Sequence, residues 1–381
     1  MMMTSNEDLL EEIIFETLSK LPVKSLLRFR CICKSWSALF KNHKFISKHL
    51  NNDKNTRLLI HYMEKYDGPE ESGYPLFLCS LFPDETLTNL SLQDIDNPVR
   101  GELGGPYNGI FCIFGSNNRI TLWNRATKES RVLPKCTIAF PKYTSTFSKC
   151  TGFGLDPTST DYKVVLIFTL WNEKLDLLYE FSHVAVYSLR ANSWRYSDCF
   201  KSNLYYMDGA LDSVYLDGVC YWLSEFRDND HKVILSFHLG NEVFEEIQEP
   251  YIPESTPTIL GIYDHSLCLL LSHNIENYYD IWVMKDKCWI QQLSLGPLHG
   301  IKMPLGFWKK GAFLAHSTHE QLLLYDPNTQ EMRDLGRTSF YFSVRIYKES
   351  LISLKEEDNL LDFDIPWHLL GVYLTNDGSL P

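Results

Sequence analysis

Five stretches share one pattern, an apolar run that ends in an aromatic and passes into a polar turn. They are Trp123-Asn124-Arg125-Ala126-Thr127, Tyr187-Ser188-Leu189-Arg190-Ala191-Asn192-Ser193-Trp194, Phe237-His238-Leu239-Gly240-Asn241, Trp282-Val283-Met284-Lys285-Asp286 and Tyr325-Asp326-Pro327-Asn328-Thr329. The lead aromatics are 64, 50, 45 and 43 residues apart. A second turn signal sits upstream of most of them, at Asn108-Gly109, Asp217-Gly218, Asp264-His265-Ser266 and Lys310-Gly311. A unit of about 40–50 residues holding paired hairpins is what a four-stranded propeller blade needs. One blade alone leaves its faces wet, so the repeats must close into a ring to bury a common core. The runs Phe342 to Ile346 and Ser350 to Leu354 are expected to complete the blade that starts near residue 57. The pattern predicts an all-β, kelch-like β-propeller-type domain, with an irregular β-sandwich as the alternative.

The intervening sequence supports strands. Runs such as Arg57 to Tyr62, Asp161 to Phe168 and Lys232 to Phe237 are short, apolar and bounded by Gly, Pro, Asn and Asp. Aromatics make up 14% of the chain, a load that pleated, half-buried surfaces accommodate well. Apolar runs such as Val164 to Phe168 and Leu267 to Leu271 are too short to span a bilayer, so no membrane association is expected. The first residues carry Glu7, Asp8, Glu11, Glu12 and Glu16 and lack the basic start of a secretory signal. The ten cysteines show no CxxC pair and read as reduced core thiols rather than a disulfide framework. These features together predict an intracellular, cytoplasmic protein, with the nucleus also open. Asn89-Leu90-Ser91 is a formal glycosylation sequon that a cytosolic chain does not use.

Before residue 55 the period changes. Leu10, Ile14, Leu18 and Leu21, with Leu9 and Ile13 beside them, form the stripe of an amphipathic helix. Ser5 and Asn6 are candidate caps, and Pro22 suits the first turn of a second helix. A second stripe follows in Leu26, Leu27, Phe29, Ile32 and Cys33, and a third around Trp36, Leu39 and Phe40. Three or four short helices in about 45 residues bury little core by themselves. Their leftover apolar surface either docks a partner or caps the β domain. The expected division is a helical domain at 5–50, a β domain at 56–355 and an acidic C-terminal tail at 356–381.

The stretch Leu21-Pro22-Val23-Lys24-Ser25-Leu26-Leu27-Arg28-Phe29-Arg30-Cys31-Ile32-Cys33-Lys34-Ser35-Trp36, with Leu9 to Leu18 before it, closely resembles an F-box. F-boxes usually begin Leu-Pro, and here Leu9-Leu10 stands at that place. The resemblance implies a face that packs on a Skp-type adaptor and through it reaches a cullin and a RING subunit. Its anchors, carried over by position, are Leu9, Leu18, Leu21, Pro22, Leu26, Leu27, Cys33 and Trp36. The β region resembles the F-box-associated domain of plant F-box proteins. That likeness rests on Tyr107 to Cys112, Leu122 to Glu129, Gly152 to Asp156, Asp161 to Val165 and Leu216 to Trp222. Within that family the chain looks most like the pollen S-locus F-box proteins of the nightshade type.

Catalytic chemistry is not written in the sequence, and no cofactor or metal is expected. His316 and His319 are three apart without an HExxH pattern and read as a surface or hairpin pair. Cys31 and Cys33 read as small packing residues among the helices. Gly152-Phe153-Gly154 lacks the third glycine and the helix of a dinucleotide fingerprint. Asp156, Asp217 and Asp326 read as turn formers. Lys355-Glu356-Glu357-Asp358 reads as the solvated start of the acidic tail.

Charge divides unevenly. Residues 1–50 hold eight Lys/Arg against five acids, a net of +3, while 51–381 hold 28 basic and 43 acidic groups, a net of −15. An acidic domain repels nucleic acid and steers basic proteins toward itself, although net charge also serves solubility. The resemblance implies a substrate-recognition subunit of an SCF-type ubiquitin ligase, not an enzyme. Its target would be a pistil S-RNase, a basic secreted protein degraded when non-self. An F-box adaptor for another plant protein, a non-degradative scaffold and a glycan-binding F-box protein stay open as alternatives. A glycan groove needs stacked exposed aromatics, for which Trp171, Trp222 and Trp308 are candidates. Recognition is expected in the loops 64–75, 90–106, 171–182 and 225–231.

Overall fold

The computed structural model describes residues 6–52, 56–64, 76–82, 87, 93–94, 101–115, 119–178, 181–201, 204–207, 213–226, 232–250, 256–273 and 277–355. Asn89 of the sequon, the tail from 356 onward and much of the predicted recognition loops lie outside the described residues.

Four helices come first: α1 (Asn6–Leu18), α2 (Val23–Phe29), α3 (Lys34–Leu39) and α4 (His43–Leu50). Leu10 stands where a proline would remove an interior N–H, and α1 runs through it from Asn6. Pro22 is the residue before α2 rather than its first turn, with φ −59° and ψ 146°. Asn42 caps α4, its Oδ1 accepting from Lys44 N at 2.8 Å and from Phe45 N at 3.4 Å.

The described strands then form six sheets arranged as propeller blades. The first blade takes β1 (Thr56–Glu64), β2 (Leu76–Leu81) and β3 (Gln93–Asp94). The second holds β4 (Gly101–Tyr107), β5 (Ile110–Gly115), β6 (Ile120–Asn124) and β7 (Glu129–Val132). The third holds β8 (Thr144–Asp156), β9 (Asp161–Asn172), the short β10 (Leu177–Leu178), β11 (Phe181–Ser188) and β12 (Ser193–Lys201). The fourth holds β13 (Leu204–Met207), β14 (Val214–Leu216), β15 (Val219–Phe226), β16 (Lys232–His238) and β17 (Val243–Gln248). The fifth holds β18 (Thr256–Tyr263), β19 (Ser266–His273), β20 (Tyr278–Lys285) and β21 (Cys288–Leu295). The sixth holds β22 (Ile301–Phe307), β23 (Phe313–Ser317), β24 (Gln321–Asp326) and β25 (Glu331–Thr338). Last comes β26 (Phe342–Lys348), which returns to pair antiparallel with β1 from Thr56↔Lys348 to Tyr62↔Phe342. β26 thus supplies the innermost strand of the first blade and closes the ring.

The repeat read from the sequence is the third strand, with its turn, of five of the six blades: Trp123, Tyr187, Phe237, Trp282 and Tyr325 lie in β6, β11, β16, β20 and β24. The core is divided into six apolar seams between neighbouring blades, plus one inside the helical module. This explains the unbroken apolar run of β9. Val164, Leu166, Phe168 and Leu170 face the second blade, while Val165 and Ile167 face the fourth. A strand buried on both faces has no polar alternation to show.

Two readings need correction. Ser350 to Leu354 is not a strand. It is an irregular strap that leaves β26, where Leu351 enters the helical core and Leu354 the seam between the second and third blades. Gly101 to Pro106, placed in a recognition loop, belongs to the inner strand β4. Gly104 makes room rather than a turn, since a Cβ there would stand 3.0 Å from the Phe114 ring. Trp171 and Asn172 likewise extend β9 and pair with β10.

Candidate functional site: the adaptor-docking face and its anchorage

The helical module is organised by a ladder of rings. Phe29 lies 5.6 Å from Trp36, Trp36 lies 6.3 Å from Phe40, Phe40 lies 5.3 Å from Phe45, and Phe15 closes on Phe45 at 5.3 Å. Leu18, Val23, Leu26, Leu39, Phe40 and Phe45 are buried around it. The expected anchors therefore separate into two groups. Leu18 and Leu26 point into this core, Leu26 with no exposure at all, so they hold the module together and present nothing outward. Leu21, Leu27 and Trp36 are half-buried, and Pro22 and Cys33 are exposed. Leu9 lies in α1, but its side chain is outside the described residues.

The sequence stripe assigned Ile32 to packing, yet it is 62% exposed in the turn between α2 and α3. Cys31 and Cys33 flank it and are exposed too, not packed. Three residues in a tight turn cannot all face one core, and periodicity does not report where a helix ends. The Ser35 hydroxyl, 3.0 Å from Cys33 Sγ, holds that thiol below its ordinary pKa. Pro22, Leu27, Ile32, Cys33 and Trp36 make up the accessible, largely apolar set on the module.

The module is also attached to the propeller. Glu349 Oε2 accepts the Val23 N–H at 3.1 Å, and Leu351 enters the helical core beside Ala126 of the β6–β7 turn. Buried Asn124 grips the strap, its Nδ2 donating to Ser350 O at 3.1 Å and to Ile352 O at 2.8 Å. Its Oδ1 accepts from Ala126 N at 3.0 Å. Glu129 Oε2 takes Ser353 Oγ at 2.9 Å and Leu354 N at 2.8 Å. His49 of α4 is buried with Nε2 3.0 Å from Leu21 O, and burial lowers its pKa.

Since neighbouring strands are antiparallel, the first-to-second and third-to-fourth turns of each blade share one rim. Ala126 and the end of β26 place the helical module on that rim. The second-to-third and blade-to-blade connections emerge on the far rim. There the β9–β10 turn carries Leu175, 66% exposed, and Tyr143 lies nearby with Lys174 Nζ 3.5 Å over its ring.

The chain matches the F-box domain over residues 7–48 and the F-box associated beta propeller domain over residues 88–370. The chain belongs to the F-box proteins that carry an F-box-associated propeller. It is similar to three proteins of Arabidopsis thaliana. The F-box/kelch-repeat protein At3g23880 is 25% identical, over 80% of this chain and 84% of that protein. F-box protein CPR1 is 26% identical, over 85% and 83%. F-box protein At1g11270 is 26% identical, over 68% and 81%. An F-box implies binding to a Skp-type adaptor within an SCF assembly, and F-box plus propeller is consistent with substrate recognition there.

The remaining candidates resolve one by one. The His316–His319 pair is split, with His316 buried in β23 and bonded to Ser339 O at 2.8 Å and His319 in the following turn. Among the described residues no group of three or more His, Cys, Asp or Glu is placed to hold a metal, and no helix is long and apolar enough to cross a membrane. Cys112, Cys150, Cys220 and Cys268 are buried core thiols, whereas Cys288 joins Cys31 and Cys33 at the surface. Trp222 is buried with Nε1 donating to Thr151 O at 2.9 Å, and Trp308 is buried between the first and sixth blades. With Trp171 half-buried in β9, the three tryptophans form no open platform for a sugar. Asp156 and Asp326 do bond turn backbone, at Thr158 N (2.9 Å) and Asn328 N (2.8 Å), and Asp217 takes the left-handed conformation of a tight turn.

Proposed function

We propose that this chain is the substrate-recognition subunit of an SCF-type ubiquitin ligase and performs no chemistry of its own. The observation that carries the reading is the apolar set that the F-box leaves accessible. Glu349 and Leu351 tie the module to the propeller, and Pro22, Leu27, Ile32, Cys33 and Trp36 stay accessible for a Skp-type adaptor. An apolar helical face with an aromatic and aliphatic anchors is the usual make-up of such an interface. Through the adaptor the chain reaches a cullin and a RING subunit, and a captured protein meets charged ubiquitin at high effective concentration.

The target is taken on the far rim, where exposed Leu175 and Tyr143 offer anchors. We infer a basic protein, and specifically a non-self S-RNase. The support is the net −15 of residues 51–381 and the resemblance of the chain to pollen S-locus F-box proteins. Discrimination between allelic forms then rests on charge complementarity and on clashes that exclude the wrong form.

The test is a pull-down of the full chain with a Skp-type adaptor against a panel of allelic S-RNases, scored for ubiquitin chains. Capture and chain formation on some forms, weakening as salt rises, is the expected result. Adaptor binding without capture of any S-RNase makes the chain an F-box adaptor for another protein. Capture that ignores salt removes the electrostatic argument.

A further inference from the structure

The propeller axis holds a cavity of about 580 Å³, within the size range of small-molecule sites. Inner-strand residues of all six blades line it, and most of the lining residues are apolar. Ile262 (42% exposed), Met303 (40%) and Ile346 (51%) are exposed large aliphatic side chains, and all three line this one cavity. Exposed apolar surface concentrated in one concave place, rather than scattered singly, marks a binding site.

Two polar groups stand against that wall on a single strand. Ser343 and Arg345 are two apart in β26, so their side chains share a face. Both line the cavity, and Arg345 is the one charged residue among its described lining residues. Ser343 is 6% exposed, and its Oγ is buried without a hydrogen-bond partner among the described residues. A buried hydroxyl left unbonded is costly, and a ligand that takes its hydrogen bond removes the cost. Arg345 bonds the neighbouring Val344 carbonyl at 3.1 Å, and the fork of a guanidinium matches the two oxygens of a carboxylate.

We propose that the axial cavity binds a small amphipathic carboxylic acid. Its carboxylate rests on Arg345 and Ser343, and its apolar body lies against Ile262, Met303 and Ile346. The site is separate from the adaptor face, and it does not depend on the proposed role in ubiquitin transfer.

The test compares octanoate with 1-octanol on the full chain by titration calorimetry, with near-UV circular dichroism to establish that each variant is folded. Wild type binds octanoate at least tenfold more tightly than 1-octanol. Arg345→Gln abolishes that preference and leaves 1-octanol binding unchanged. Ser343→Ala weakens octanoate about threefold while thermal stability stays equal or rises, because removing an unbonded buried hydroxyl costs the fold nothing. Ile346→Glu removes both ligands. The proposal is overturned if wild type takes no octanoate, if 1-octanol binds as tightly as octanoate, or if folded Arg345→Gln and Ile346→Glu bind octanoate like wild type.

Discussion

The backbone N–H of Val23 donates to the carboxylate of Glu349 at 3.1 Å, across 326 residues of sequence. Val23 opens the second helix of the F-box, where the N–H has no partner within its own helix. Glu349 follows the strand that closes the propeller. Replacing it by Ala leaves that N–H without its acceptor, a loss of about 1–2 kcal/mol for a bond to a charged group. Hydrogen exchange should show faster opening of Val23 to Phe29 and unchanged protection in Asp161 to Asn172.

Leu351 gives a larger effect at the same junction. It is 7% exposed and packs in the F-box core, so Leu351→Ala opens a cavity at a cost of about 2–4 kcal/mol. Chemical denaturation should then show the helical module melting ahead of the propeller.

Gly109 tests ring closure. Its φ is +75°, and an added Cβ would stand 2.5 Å from Lys348 O and 2.7 Å from Ser350 Cβ. Gly109→Ala combines a left-handed backbone with a clash against main chain that cannot move freely. A loss of about 2–4 kcal/mol is expected, read as a lower unfolding midpoint.

The buried His49 makes the F-box sensitive to mild acid. Its pKa is lowered by burial, with the Leu21 carbonyl and Glu349 acting against that shift. The fold therefore favours the neutral ring. This contribution is complete above about pH 6.5, the value in an unfolded chain, and declines as pH falls below it. His49→Gln should flatten the pH dependence of F-box stability between about pH 6.5 and 5, as followed by hydrogen exchange in the helices.

Asp156 acts lower on the scale. Burial raises its pKa, but the Ser159 hydroxyl and Lys163 at 3.0 Å outweigh it and bring the value to about 2. The lowered value stabilises the fold above about pH 4 by about 2 kcal/mol, and this is lost as pH falls toward 2. Acid unfolding of Asp156→Asn should lack that step, with a lower starting stability because buried Lys163 loses one of its two carboxylate partners and keeps only Glu242 at 3.2 Å.

Five blades were legible because each repeats an aromatic strand end and a polar turn, as at Trp123 and Tyr325. Closure of the first blade by Phe342 to Ile346 was legible for a different reason. One apolar run remained at each end of the chain, and a ring needs both. The strap from Ser350 to Leu354 was misread because its leucines are apolar for two separate destinations, the F-box core and a propeller seam, with no sheet involved. Gly101 to Pro106 was misread because glycine and proline usually mark turns, whereas here Gly104 lets an inner strand pass close to Phe114. In the F-box the motif located the module. It did not separate Leu26, which fills the core, from Ile32, which faces outward, because a family match carries positions and not exposures.

The account stands on the outward face of the F-box, and one titration addresses it. A purified Skp-type adaptor is titrated into the full wild-type chain and into Ile32→Asp, a change at a 62% exposed position that leaves the fold intact. The account predicts tight binding by wild type and a loss of at least tenfold in the variant, since it places a charge in an apolar contact. Equal binding by both chains, or no binding by wild type, would contradict it.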